Sequence, residues 1–309
     1  MLTPDLHVNV GSLRLANPVI AASGTFGYGL DLDDFCPPEK LGGVVTKGLS
    51  PRPREGAPMP RIAETPSGML NAIGLENIGV DVFCRDKLPA LRERRAVVIV
   101  NVFGESAADY VRVIEHCESE AGIAGYELNV SCPNVSAGGI QFGHDPRTLE
   151  ELTARCRVVT ARPLWVKLSP NAPDLVGTAR AAAAGGADAV SLVNTILGMA
   201  IDPLRRLPEL ARTFGGLSGP AILPIALRMV YEVHLALPEL PVVGLGGIES
   251  GLDVVRFLLA GATAVQVGTA TFRRPGVMLE ILAELAAYCR DQGVERVATL
   301  TGALEARDA

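Results

Sequence analysis

The sequence predicts an α/β protein built as a closed (β/α)8 TIM barrel, and three observations carry that expectation. Eight short apolar runs rich in Val and Ile recur at residues 19–22, 43–47, 97–102, 126–130, 164–168, 189–194, 242–246 and 264–268. The runs are continuous rather than alternating, as expected of strands buried on both faces in a parallel sheet. Helical intervals at 174–184, 250–259 and 277–290 separate several of them. Repeated βα units, eight in number, favour closure over an open sheet.

The elements follow in order. Residues 7–15, His-Val-Asn-Val-Gly-Ser-Leu-Arg-Leu, read as a β-hairpin turning at Gly11-Ser12 and plugging the bottom of the barrel. Pro173-Asp174 gives a polar start to an alanine-rich helix that stops at Gly185-Gly186. Ser250 can cap a helix that ends at Gly261. Two connections are long: 48–93, rich in Pro and Gly, and 131–146, with Gly138-Gly139 inside it. Long connections in a compact domain are usually functional or disordered, so both are expected at an active site. No linker, charge block or internal repeat divides the chain, and residues 1–309 are expected to form one domain.

Composition narrows the function classes. Hydrophobic residues make up 48% of the chain and charged residues 20%, which excludes disorder and suits a helix-covered sheet. A formal net charge of −6 gives no general attraction to nucleic acid or an anionic membrane, so an anionic ligand must meet local cations. Cys36, Cys84, Cys117, Cys132, Cys156 and Cys289 are scattered, without CxxC pairs or metal-ligand spacing. No metal and no iron–sulfur cluster is expected on this chain, and reduced thiols point to a cytoplasmic protein. The first residues lack the basic and apolar regions of a signal peptide, and no apolar run approaches a membrane span.

In such barrels the active site lies at the C-terminal ends of the strands. The polar residues and glycines there are Ser23, Lys47, Asn101, Asn129, Lys167, Asn194, Gly246-Gly247 and Gly268-Thr269. One strand-end polar residue is more often a cap or turn former. A complete set at equivalent positions, with two lysines directly after apolar runs, points to a ligand. Lysine is rarely buried without a partner, so Lys47 and Lys167 suggest a bound anion or electron-rich ring. The glycine turns in Val243-Gly-Leu-Gly-Gly247-Ile and Val267-Gly-Thr-Ala270 follow the seventh and eighth runs, the usual phosphate site of these barrels. Neither has the GxGxxG spacing of a dinucleotide site, which favours a mononucleotide phosphate over NAD on this chain. Cys132 lies in the glycine-rich connection after the fourth run, among polar neighbours. A thiol of pKa ~8.5 can serve there as base or nucleophile, and the residues alone leave the two open. The other five cysteines read as small buried hydrophobes.

Seven segments together resemble the family 1 dihydroorotate dehydrogenases, specifically the B type. They are Asn17-Pro-Val-Ile-Ala-Ala-Ser-Gly-Thr-Phe26, Thr46-Lys-Gly48, Asn71-Ala-Ile-Gly-Leu-Glu-Asn77, Asn129-Val-Ser-Cys-Pro-Asn134, Val193-Asn-Thr195, Gly215-Gly-Leu-Ser-Gly-Pro-Ala-Ile222 and Gly244-Leu-Gly-Gly-Ile248. The resemblance implies oxidation of (S)-dihydroorotate to orotate in de novo pyrimidine (UMP) biosynthesis. A proton leaves C5 to Cys132 as base, and a hydride leaves C6 for FMN N5. The substrate is then held by Lys47, Asn71, Ala72, Ile73, Gly74, Leu75, Asn129, Asn194 and Thr195. FMN is held by Ser23, Lys47, Gly48, Asn101, Asn129, Lys167, Val193, Gly219, Gly246, Gly247, Gly268 and Thr269. Lys167 would stabilise charge on the reduced ring, and loop 131–146 would close over the substrate. The B type implies a homodimer of this chain within a heterotetramer, with two electron-transfer subunits carrying FAD and a [2Fe-2S] cluster that pass electrons to NAD. Cys rather than Ser at 132, with a strand-like segment from His7 leaving no room for an N-terminal amphipathic extension, separates the chain from membrane-associated relatives. One departure from the family pattern is Leu223, where a lysine is common.

Three alternatives have distinct signatures. A stand-alone, fumarate-dependent A-type enzyme would turn over without a partner. A flavin-dependent tRNA-dihydrouridine synthase would carry a basic patch and an RNA-binding extension, and this acidic chain shows neither. A non-catalytic barrel would purify without a chromophore.

Overall fold

A computed structural model describes residues 3–130 and 139–305, with 139–141 described in backbone only. Eight parallel strands close a barrel: β1 Val19–Ala21, β2 Gly43–Val45, β3 Val98–Val102, β4 Ile123–Asn129, β5 Leu164–Lys167, β6 Ala189–Leu192, β7 Val242–Leu245 and β8 Ala262–Val267. Each strand pairs with its neighbours in chain order, and β8 returns to β1 with Val265 opposite Val19. Burial explains the composition of the strands. Between the barrel interior and the outer helices both faces are dry, so the runs are mostly apolar, with Glu127, Ser191 and Gln266 as buried polar interruptions.

The helices end where the sequence indicates. Leu175–Ala184 starts at Asp174, whose carboxylate accepts a hydrogen bond from Gly177 N at 2.7 Å. Gly251–Leu259 starts in a capping box made by Ser250 and Asp253. Gly261, at φ 109°, carries the chain out of that helix in a conformation that favours glycine. The expected βα repeat fails in its first unit. Between β1 and β2 the regular structure is only the 3-10 turn Pro38–Lys40, since Gly24, Gly27 and Gly29 take positive φ and Pro37-Pro38 interrupts helix formation.

The hairpin Val8–Val10 with Leu13–Leu15 lies at the strand N-termini, where a Cβ on Gly11 would come within 3.3 Å of Asp188, just before β6. Asp188 joins elements at this bottom end. It accepts from Arg157 Nη1 and from Leu164 N, each at 2.8 Å. Asp188→Ala leaves both donors without this acceptor, and the expected outcome is a loss of about 1–3 kcal/mol in urea melts with ligand binding at the far mouth unchanged.

The long connection after β2 is structured. Its strands Ile62–Thr65 and Gly68–Asn71 form a hairpin, joined by Gly215–Ser218 and Ile196–Gly198 from the connection after β6. This four-stranded antiparallel sheet stands over the mouth and encloses a small core of Ala63, Leu70, Ala72 and Leu210. No helix among the described residues is long and apolar enough to cross a membrane.

Candidate active site

The mouth of the barrel and the small sheet enclose a cavity of about 390 Å³, within the roughly 300–1,000 Å³ of small-molecule sites. From the strand ends it is lined by Ser23, Lys47, Gly48, Asn129, Lys167, Val193, Asn194 and Thr195. The sheet contributes Asn71, and the turn beyond it contributes Ile73, Gly74 and Leu75. Gly219, Gly246-Gly247 and Gly268-Thr269 form the opposite end.

Two predicted contacts lie elsewhere. Ala72 faces the small core and is 1% exposed, because the pleat that turns Asn71 and Ile73 to the cavity turns the residue between them away. Asn101 is fully buried behind the wall, where its Nδ2 donates to Glu127 Oε1 at 2.8 Å. Cys132 falls outside the described residues with the rest of 131–138, while the second half of loop 131–146 holds the short helix Gly139–His144. The other five cysteines are buried, as expected. Burial pushes the Cys36 thiol up to about 11 and the Cys156 thiol up to about 12, which leaves them unreactive.

The sheet and barrel hold the polar side chains in register. Asn71 Nδ2 donates to Gly216 O at 3.3 Å across the antiparallel pair. Asn194 Oδ1 accepts from Thr195 N at 2.8 Å, and Asn194 Nδ2 lies 3.5 Å from Asn129 Oδ1. Tyr110 donates to Asn129 O at 3.0 Å and fixes the end of β4. Thr269 Oγ1 donates to Ser218 Oγ at 2.8 Å, tying the last glycine turn to the small sheet.

The glycine turns are required by space. Gly219, Gly246 and Gly247 have φ of 93°, 134° and 76°. A Cβ on Gly247 would come within 2.9 Å of both Gly219 O and Leu223 Cβ. Leu223, the departure from the family pattern, therefore packs beneath this turn.

Glu76 and Gln266 are among the lining residues that the sequence motifs did not single out. Glu76 Oε2 lies 3.6 Å from Lys47 Nζ and accepts from Arg61 Nη1 at 3.0 Å. The positive charge of Lys47, then that of Arg61, holds the Glu76 carboxyl below the usual carboxylate range. Gln266 is a polar residue in the middle of the eighth apolar run. It lines the cavity, and its buried Oε1 has no hydrogen-bond partner among the described residues. That interruption of an apolar run was the available signal. No cluster of metal-binding side chains occurs among the described residues.

A closed parallel barrel with a polar cavity at its mouth and glycine turns after strands seven and eight defines a (β/α)8-barrel enzyme suited to a phosphorylated ligand. The family model for dihydroorotate dehydrogenase matches residues 5–288, and the chain belongs to that family. Similar proteins include the dihydroorotate dehydrogenase B (NAD(+)) catalytic subunit of Pelobacter propionicus, 51% identical over 304 residues, covering 98% of this chain and 100% of that one. The protein of the same name from Geobacter sulfurreducens is 50% identical over 305 residues, covering 99% and 100%. A putative dihydroorotate dehydrogenase A (fumarate) from Solibacter usitatus is also 50% identical, over 304 residues, covering 98% and 100%.

Proposed function

We propose that this chain is the FMN-carrying catalytic subunit of an NAD-linked dihydroorotate dehydrogenase, oxidising (S)-dihydroorotate to orotate in pyrimidine synthesis. The observation that carries the reading is the cavity itself, where Lys47, Asn71, Asn129 and Asn194 meet beside a glycine-lined end. The residues suit FMN. The turns at Gly219, Gly246-Gly247 and Gly268-Thr269 leave room for a phosphate against backbone, and Gln266 offers an unused buried acceptor to a flavin ring. When bound, FMN supplies the hydride acceptor.

The chain's own groups have separable tasks. Lys47 brings a positive charge to the substrate carboxylate, and the amides of Asn71, Asn129 and Asn194 match the donors and acceptors of the ring. Lys167, 5% exposed, supplies positive charge in a dry setting where it counts most. Cys132 Sγ is the proposed base for the C5 proton. The electron-transfer partner would carry FAD and a [2Fe-2S] cluster, two such subunits joining a homodimer of this chain in the cytoplasm. Support for protein partners comes from the large apolar side chains exposed on the segments around the small sheet, including Met59, Leu197, Ile201, Leu204, Leu207 and Phe214.

Glu76 competes with the substrate for Lys47. Because its folded pKa is lowered, the pair persists at neutral pH and is lost as pH falls through that lowered value. Glu76→Gln is expected to lower KM for dihydroorotate by up to about fivefold, the scale of an exposed ion pair, in steady-state assays near pH 7. At pH values where Glu76 is protonated the difference from the native chain should vanish.

The A-type relative supports a second reading, in which the chain uses fumarate without a partner. Purified alone, the chain is expected to reduce fumarate poorly and to need the second subunit for NAD. Robust fumarate turnover by the isolated chain would favour the A type.

A further inference from the structure

Asn171 does not line the cavity; it lies in the connection after β5, just beyond Lys167. Its backbone N donates to the Oγ of buried Ser169 at 3.2 Å, which steadies the turn that carries it. Its side chain reaches across to the connection after β6. Asn171 Nδ2 donates to Thr195 O at 3.3 Å, and Asn171 Oδ1 accepts from Leu197 N at 3.2 Å. A backbone carbonyl only accepts and a backbone N–H only donates, so the partners assign both ends of this amide. An asparagine that merely closes its own turn bonds within about two to four residues. These two bonds span 24 and 26 positions and tie one strand-end connection to the next.

The bridge occupies an open edge. Ile196–Gly198 is the outermost strand of the small sheet, paired with Gly215–Ser218 on one side only. Polar groups alternate in direction along a strand, and Thr195 O and Leu197 N both point to the free side, where the Asn171 amide meets them. Thr195 and Asn194, immediately before this strand, line the cavity. The barrel holds their segment from its other end, through Val193 N to Leu245 O at 2.9 Å and Asn194 N to Leu168 O at 3.3 Å. Asn171 therefore supplies the second anchor. The residue between the two anchors is Thr195, whose N donates to Asn194 Oδ1 at 2.8 Å and so decides how that amide is turned. A Cβ on Gly216 would collide with Thr195 Oγ1, so the small sheet seats the threonine side chain while Asn171 seats its backbone.

We propose that Asn171 is a positioning residue: by bridging Thr195 O and Leu197 N it sets the backbone whose Thr195 N–H holds the Asn194 amide toward the pyrimidine. The inference rests on the function proposed above.

The test is a double-mutant cycle on the FMN-loaded chain: native, Asn171→Ala, Asn194→Ala and the two together. Each is titrated with orotate up to millimolar concentrations by flavin absorbance, alongside FMN content and melting temperature. Asn171→Ala removes both bonds of the bridge without changing a lining residue, and it is expected to weaken orotate binding by about tenfold with FMN content near native. In the Asn194→Ala background the same substitution should weaken binding by less than about twofold, because the group it positions is already gone. A purely structural role does not produce that difference. Equal losses in the two backgrounds would overturn the proposal, as would native-like orotate binding by Asn171→Ala or by Asn194→Ala. Loss of FMN in step with orotate would overturn it too. If Asn171→Ala does not fold, Asn171→Asp takes its place in the cycle, since it keeps the acceptor for Leu197 N and lacks the donor for Thr195 O; failure of both to fold would make Asn171 a residue of the fold and end the proposal. Failure of the native FMN-loaded chain to bind orotate would refute the proposed function instead.

Discussion

Replacing Cys132 with Ser or Ala is expected to slow reduction of the bound flavin by dihydroorotate by about 10²-fold or more, the range for loss of a general base. FMN content and orotate affinity should stay close to native. Serine keeps the shape of the side chain but is a far weaker acid than a thiol, so it cannot exchange a proton at neutral pH with the same ease. Cys132 contrasts with the other five cysteines. Cys36, Cys84, Cys117, Cys156 and Cys289 are buried, and burial raises the thiols of Cys36, Cys156 and Cys289 above their ordinary range. Cys132 sits in the Asn129-to-Asn134 segment, directly after the strand that delivers Asn129 to the cavity. Rapid mixing without oxygen separates the reductive step from later electron transfer. Native reduction rates in both variants would remove Cys132 from the mechanism.

The second large effect is expected at Gly247. Its φ of 76° is strained for any L side chain, and an added Cβ meets Gly219 O and Leu223 Cβ at 2.9 Å. The turn must open, and the backbone offered to a phosphate opens with it. Strain of this kind costs on the order of 1–3 kcal/mol, so Gly247→Ala is expected to weaken FMN retention by about tenfold or more. Gly293→Ala is the matched control. It has φ 66° with nothing within 4 Å of the added Cβ, so it carries backbone strain without the clash and lies away from the cavity. Fluorescence titration of the FMN-stripped chains measures both. Equal retention in the two variants would mean that Gly247 does not shape the phosphate end.

The barrel was legible because its strands are dry on both faces, which leaves an apolar run with a polar end in each unit. The same logic puts Ser23, Lys47, Asn129, Lys167 and Asn194 at the mouth, where they line the cavity. The small sheet was not legible. Its strands, such as Gly68-Met-Leu-Asn71 and Gly215-Gly-Leu-Ser218, are short and glycine-bearing, and the Asn71 contact with Gly216 spans 145 positions of sequence. Ala72 and Asn101 show the limit of transferring whole motifs: neighbours in a motif alternate in facing, and a polar strand-end residue can be buried behind the wall. Glu76 was passed over inside a quoted motif because its partners, Lys47 and Arg61, come from separate segments. Helix ends were readable from Asp174, Ser250 and Gly261, since capping is local chemistry. The missing helix between β1 and β2 reflects local chemistry too, in glycines whose positive φ the sequence does not announce.

In the proposed function, dihydroorotate gives its hydride to a flavin held in this cavity. Mixing the purified, FMN-loaded chain with dihydroorotate in the absence of oxygen and of any partner tests it most directly. The expected result is bleaching of the visible flavin absorbance with formation of one orotate per flavin reduced. A flavin-loaded chain that keeps its colour and forms no orotate would contradict it.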